Sequence, residues 1–240
     1  MQIIKSFFSW IYFIFAGSRW VFAGFLRLPF GKAGDYYRRI GKLFGPSMLS
    51  AVGATATFEG LENLDPNQSY IFAGNHQSYV DIFMIQAAIG TIGMETLFMA
   101  KEALFKIPFF GTTARQMGLI PIAPDGSRDR MKILIESIKT LRHGNSLTVF
   151  VEGSRSRDGQ LQAFKKGAFL LSSQTGLPIA PFVVKGTIDV MSRNDLHIHR
   201  GKHCIISFLP PIMPEGRSAK ELARLTEEQI HAEYDKLMQV

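Results

Sequence analysis

An α/β fold is predicted for residues 51–240 by three observations. Short apolar runs at 54–59, 70–74, 97–100, 116–122, 147–151, 179–184 and 204–209 read as strands. Helical patterns separate several of them; Met131, Leu134, Ile135, Ile138 and Leu141 fall at i, i+3, i+4, i+7 and i+10. Finally, His76, Lys101 and Arg155 each follow an apolar run, the place where open α/β sheets gather their chemistry.

Residues 1–50 read as a separate unit. Positions 6–18 are uncharged and aromatic, then Arg19 interrupts and Trp20 to Leu26 is apolar again before Arg27. Thirteen residues rise about 20 Å as a helix, short of the roughly 30 Å hydrocarbon core. The pattern therefore predicts an in-plane or re-entrant membrane anchor with a second basic helix over 32–45; one true span carrying Arg19 is the alternative. No small-residue cleavage pattern supports a signal peptide. Pro46 to Ser50 reads as a break.

Charge agrees with this division. Residues 1–44 carry Lys5, Arg19, Arg27, Lys32, Arg38, Arg39 and Lys42 against Asp35, so nearly all of the +7 net charge lies there. A basic excess confined to an aromatic segment points to an anionic membrane surface, and the near-neutral main body excludes a nucleic-acid partner. A single cysteine, Cys204, excludes a disulfide framework.

In the main body, 54–59 alternates as a strand and Asp65-Pro66-Asn67-Gln68 turns the chain. Tyr70 to Gly74 leads into Asn75-His76-Gln77-Ser78-Tyr79-Val80-Asp81, the central stretch. On a regular helix five residues turn about 500°, so the His76 and Asp81 side chains would point about 140° apart. Ser78 and Asp81 form a capping-box pattern that starts the helix at Ser78. His76 is then left on the preceding turn, free to meet Asp81. A histidine held by a carboxylate is a general base; the plain alternative is a helix cap beside a polar turn residue.

Leu97 to Ala100 ends at Lys101, either a solvated helix start or a cation placed for an anion. After the Pro108 to Gly111 break, 116–122 reads as a strand turning at Pro124-Asp125-Gly126. The amphipathic helix over 131–141 stops at His143-Gly144. Leu147 to Val151 then ends in Glu152-Gly153-Ser154-Arg155. Gly153 permits close backbone approach, Ser154 offers a hydroxyl, Arg155 a fork suited to phosphate, and Glu152 a lock for the loop. A helix opens at Phe164 to Phe169 and closes at Gly176-Leu177-Pro178. Ser218 and Glu221 cap a C-terminal helix reaching about Met238. His197, His199 and His203 lack carboxylates at ligand-like spacing, so no metal site is predicted.

Four blocks in order resemble the lysophosphatidate acyltransferase family over about residues 50–215. They are Asn75 to Asp81, Gly118 to Ile122, Val149 to Ser156, and Leu177 to Pro181, with the Lys101 to Gly111 neighbourhood also similar. The N-terminal segment resembles the two-helix anchor of bacterial members. Two departures stand out. Val151 and Ser154 replace the usual proline and threonine of the third block, and the second block's usual arginine falls at Pro124, with Arg128 and Arg130 nearby.

The resemblance implies a mixed central sheet flanked by helices behind a membrane-associated segment. It implies transfer of an acyl group from acyl-CoA or acyl carrier protein to the sn-2 hydroxyl of lysophosphatidate, at the cytoplasmic face of a membrane, giving phosphatidate for phospholipid synthesis. His76 and Asp81 would be catalytic. Lys101, Glu152, Gly153, Ser154 and Arg155 would bind the acceptor, and no metal or cofactor would be needed. The altered second block keeps other acceptors open: another lysophospholipid, a lyso-ornithine lipid or glycerol-3-phosphate. A non-catalytic lipid-binding protein is the remaining alternative.

Overall fold

The computed structural model describes residues 2–26, 33–108, 110–116, 119–122, 145–193, 195 and 197–239. Gly118, the turn at 124–126, Arg128, Arg130, the helix over 131–141 and its stop at 143–144 lie outside the described residues.

The strands are β1 (Thr55–Glu59), β2 (Ile71–Gly74), β3 (Glu95–Lys101), β4 (Ile120–Ile122), β5 (Asn145–Phe150), β6 (Ile179–Lys185) and β7 (His203–Phe208). The helices are α1 (Gln2–Phe25), α2 (Ala33–Val52), α3 (Val80–Thr91), α4 (Phe110–Gln116), α5 (Gly167–Thr175), α6 (Thr187–Val190) and α7 (Ala219–Met238). The strands form one sheet in the order β1-β7-β6-β2-β5-β3-β4. Strands β6, β2, β5, β3 and β4 run parallel, while β7 is antiparallel to β6 and parallel to β1. The predicted mixed α/β sheet is therefore what the chain forms.

Both sheet faces are covered, which is why its central strands are near-continuous apolar runs. Ile71, Ala73, Leu147, Val149 and Ile179 pack with Phe169 and Leu171 of α5 and Leu222 of α7. Phe72, Phe182, Val184, Ile206 and Phe208 point the other way, into a core shared with α2 and α3.

Helix α2 corrects the expected break at Pro46 to Ser50, for it runs through Pro46 to Val52. A proline inside a helix costs about 3 kcal/mol or more. Packing offsets that cost: Met48, Leu49, Ala51 and Val52 are all buried. At Gly45 the two backbones touch, since a Cβ there would lie 2.5 Å from the Ala87 nitrogen of α3. Helix α1 is also longer than the uncharged stretch, and Arg19 is absorbed within it. Its guanidinium sits 4.8 Å from the Trp20 ring centre and donates to Ser47 Oγ of α2 at 3.1 Å. Among the described residues no helix is long and apolar enough to cross a membrane.

Two other boundaries differ. Strand β4 is Ile120–Ile122 where the sequence predicts 116–122, for Gln116 ends α4 and the Leu119 N–H bonds the Ala114 carbonyl at 2.9 Å, while residues 117 and 118 lie outside the described residues. Helix α3 starts at Val80, two residues after the predicted Ser78. The carboxylate half of the capping box does form, with Asp81 Oδ2 accepting the Ser78 N–H at 2.9 Å. The serine half is displaced by one residue: Ser78 Oγ accepts the Val80 N–H at 3.2 Å, not that of Asp81, while it donates to the Met191 carbonyl at 2.7 Å.

Candidate active site

The site begins where β2 ends. A Cβ on Gly74 would lie 2.4 Å from the Phe182 ring, so glycine lets β2 and β6 close up. The next residue extends the pairing through its side chain: Asn75 Oδ1 accepts from Val184 N–H at 2.7 Å and Nδ2 donates to Val184 O at 2.9 Å. The chain leaves the sheet in a fixed direction, and His76 is the first residue beyond it.

His76 Nδ1 lies 2.7 Å from Asp81 Oδ2. That oxygen also accepts the N–H groups of Gln77 at 2.7 Å and Ser78 at 2.9 Å. It is thus an acceptor, so Nδ1 carries the proton and Nε2 is left as the basic nitrogen. Asp81 is fully buried in the first turn of α3, where the helix dipole favours negative charge. Its other oxygen accepts the Thr187 hydroxyl from α6. The His76 ring lies flat on Phe150, with centroids 3.7 Å apart and planes 10° from parallel.

The turn after β5 closes over this pair. Glu152 is only 3% exposed. Oε2 has no partner among the described residues. Burial pushes the Glu152 carboxyl up to about 8, the main-chain N–H groups of Gln162 and His76 pull it down, and the charges of Asp81 and Asp158 push it up. Gly153 adopts φ +72°, and the Lys165 stem lies across it, 2.7 Å from where a Cβ would sit. The glycine therefore makes room for a lysine of its own chain. Ser154 is exposed, and the Arg155 guanidinium lies 3.7 Å over the Tyr79 ring centre, against the His76 loop. Lys101 is exposed at the end of β3.

Strands β2, β5 and β3 are neighbours and parallel, so His76, Glu152 to Arg155 and Lys101 all emerge from the same sheet edge. Cys204 is buried in β7, where burial pushes its thiol up to about 12. His197 and His199 both bond Asp195, at 2.6 and 2.9 Å, and hold its carboxyl well below the usual range. Among the described residues no group of three possible ligands could hold a metal ion.

Sequence reasoning missed Thr187, Phe150 and Tyr79 as members of this cluster. Phe150 ends the strand before Glu152, and Tyr79 lies inside the central stretch, so both had a positional signal. Thr187 had none, because nothing in the sequence places β6 beside β2.

A family model described as Acyltransferase matches residues 55–185, more than half of the chain. The chloroplastic 1-acyl-sn-glycerol-3-phosphate acyltransferase BAT2 of Brassica napus is 33% identical over 169 residues, 68% of this chain and 48% of that protein. The 1-acyl-sn-glycerol-3-phosphate acyltransferase of Borreliella burgdorferi is 30% identical over 146 residues, 61% of this chain and 57% of its own length. The chain thus spans about half the length of the curated relatives it matches. The crystal structure of the 1-acyl-sn-glycerophosphate acyltransferase PlsC from Thermotoga maritima superposes with a TM-score of 0.82 at 27% identity, covering 99% of this chain and 98% of that one. With its sheet, its His76–Asp81 pair and this match in agreement, the chain belongs to the Acyltransferase family.

Proposed function

We propose that this chain moves a fatty acyl group from a thioester donor, acyl-CoA or acyl carrier protein, to the sn-2 hydroxyl of lysophosphatidate. The observation that carries the reading is the 2.7 Å contact between His76 Nδ1 and Asp81 Oδ2, which leaves Nε2 as a base beyond a strand end. The names of the matched relatives and of the Thermotoga maritima protein support the choice of reaction and acceptor.

In this reading Nε2 takes the proton from the acceptor hydroxyl as its oxygen attacks the thioester carbonyl. The tetrahedral intermediate collapses, the C–S bond breaks, and the thiolate leaves to take up the proton from the imidazolium. Asp81 stabilises that imidazolium, and the face of Phe150 favours a cation above it. A thiolate leaves readily, so neither a covalent enzyme intermediate nor a metal or cofactor is required. Lys101 and Arg155, with Gly153 and Ser154 in the same turn, hold the acceptor phosphate and so place its hydroxyl against Nε2.

Residues 1–50 act as the anchor on this account, and 51–240 as the catalytic unit at the cytoplasmic face of the membrane. Helix α1 is built inside out: Ser6, Ser9 and Ala16 are buried, while Phe7, Phe8, Ile11, Phe15 and Phe22 are 48–67% exposed. A basic, aromatic helix with that face outward suits the headgroup region of an anionic bilayer, where acceptor and product both reside.

The test is free-thiol release by detergent-purified protein given oleoyl-CoA or oleoyl carrier protein, with a panel of acceptors. Release that requires lysophosphatidate supports the full reading. Release with another lysolipid, a lyso-ornithine lipid or glycerol-3-phosphate keeps the chemistry and moves the acceptor. Lipid binding without release under either donor overturns it in favour of a binding protein.

A further inference from the structure

Lys165 brings a cation to the turn after β5 from outside that turn. Its main-chain N–H bonds the Val151 carbonyl at 2.7 Å, which ties it to the start of the turn. Phe164 before it packs against the buried core, while the Lys165 side chain runs across Gly153. Its Cδ, Cε and Nζ lie 2.7, 2.8 and 2.9 Å from where a Gly153 Cβ would sit, so the ammonium rests on the glycine itself. Two residues on, the Arg155 guanidinium lies over Tyr79 of the His76 loop. Among the described residues neither Lys165 nor Arg155 forms an ion pair. The carboxyls of the turn do not neutralise them. Glu152 is buried, and its carboxyl, pushed up to about 8, is mostly protonated at neutral pH. Asp158 accepts from Ser156 Oγ at 3.0 Å and from the Gln160 N–H at 3.1 Å. The turn therefore presents two unpaired cations at the sheet edge that carries His76.

We propose that Lys165 binds the acceptor's phosphate beside Arg155 and makes the site select a phosphomonoester over a phosphodiester. A monoester carries about two negative charges at neutral pH, its second ionisation lying at about pH 6, whereas a diester carries one. The planar Arg155 fork suits two phosphate oxygens at once, and the Lys165 ammonium is a point charge for the third. In a diester that third oxygen is esterified and uncharged, so only a monoester engages both cations. Gly153 is part of this device: with no Cβ, it leaves open the path the lysine stem takes. The assignment rests on the reading of this turn as the acceptor's phosphate site.

The experiment compares wild type, Lys165→Met and Lys165→Arg in the full chain by thiol release from oleoyl-CoA. The acceptors are lysophosphatidate, a monoester, and lysophosphatidylglycerol, a diester, the latter read by turnover or as a competitive inhibitor. Methionine keeps most of the exposed stem and removes the charge. It should lower kcat/KM for lysophosphatidate by about 10-fold to 100-fold, the worth of one hydrogen bond to a charged group. The constant for lysophosphatidylglycerol and the KM for oleoyl-CoA should each stay within about threefold of wild type, and Lys165→Arg should recover most of the monoester loss. An equal loss for both acceptors, no loss for either, or a loss confined to the oleoyl-CoA KM overturns the proposal. Should wild-type protein release no thiol, the function reading fails alone, and equilibrium binding in detergent micelles decides for Lys165. Tighter binding of lysophosphatidate than of lysophosphatidylglycerol, lost in Lys165→Met, upholds the proposal; the same preference in both proteins overturns it.

Discussion

Thr187 donates its hydroxyl proton to Oδ1 of Asp81, the carboxylate oxygen that His76 does not use. Asp81 is 0% exposed and, among the described residues, has no cationic partner other than a protonated His76, so hydrogen bonds must replace its lost hydration. Three N–H groups serve Oδ2, and Thr187 serves Oδ1.

Removing that bond should cost both stability and rate. Hydrogen bonds to charged groups contribute about 1.5–3 kcal/mol, so Thr187→Val should lose about that much in denaturant unfolding, while Thr187→Ser recovers most of it. Thiol release by Thr187→Val should fall about tenfold through kcat, because a freed carboxylate no longer fixes the imidazole. Unchanged stability in the valine variant would contradict this role.

Asp81→Asn separates charge from geometry. With its oxygen in the Oδ2 position the amide still accepts the His76, Gln77 and Ser78 N–H groups, and its NH2 donates to the Thr187 hydroxyl, so the hydrogen bonds can be kept. The substitution removes the charge that stabilises the imidazolium. General-base catalysis is worth about 10²–10⁴, so kcat should drop by that range with little change in the acceptor's KM.

Glu152 makes stability depend on pH. Its carboxyl is raised from 4.5 to about 8 by burial, so between these values the folded chain holds a proton that the unfolded chain has released. Stability then falls as pH rises from about 4.5 to about 8 and levels off above. Glu152→Gln removes the proton exchange, so its midpoint in urea should gain on the wild type across that window. Parallel curves for the two proteins would show that Glu152 ionises normally.

The outward face of α1 predicts membrane partitioning. Phe8, Phe15 and Phe22 follow at seven-residue intervals, so they lie on one face of the helix, and they are 63%, 67% and 61% exposed. Burying a phenylalanine contributes about 1.5–3 kcal/mol, so replacing all three by serine should weaken sedimentation with anionic vesicles by at least about 100-fold. Thiol release on detergent-dispersed substrate should change far less. Equal sedimentation by the variant would assign the face to another partner.

The sequence announced the His76–Asp81 pair because the residues that build it are local: a strand end, a five-residue gap and a carboxylate in the first helical turn. It also announced which strand ends carry Lys101 and Glu152 to Arg155, since each strand is a compact apolar run. What it hid depends on non-local packing. Thr187 reaches Asp81 only because β6 pairs with β2, an adjacency no spacing encodes. Helix α2 survives Pro46 only because Gly45 lets it lie against the α3 backbone. Gly153 read as room for a ligand, and the nearest atoms are those of Lys165. Glu152 read as a lock for its loop and as an acceptor ligand, whereas its side chain is buried at 3% exposure.

The central claim is that His76 deprotonates the acceptor, and single-turnover thiol release by His76→Ala tests it most directly. With lysophosphatidate and the acyl donor both saturating, the account predicts a rate at least about 10²-fold below wild type, with lysophosphatidate binding retained. A His76→Ala rate within a few fold of wild type would contradict the account and place the base elsewhere.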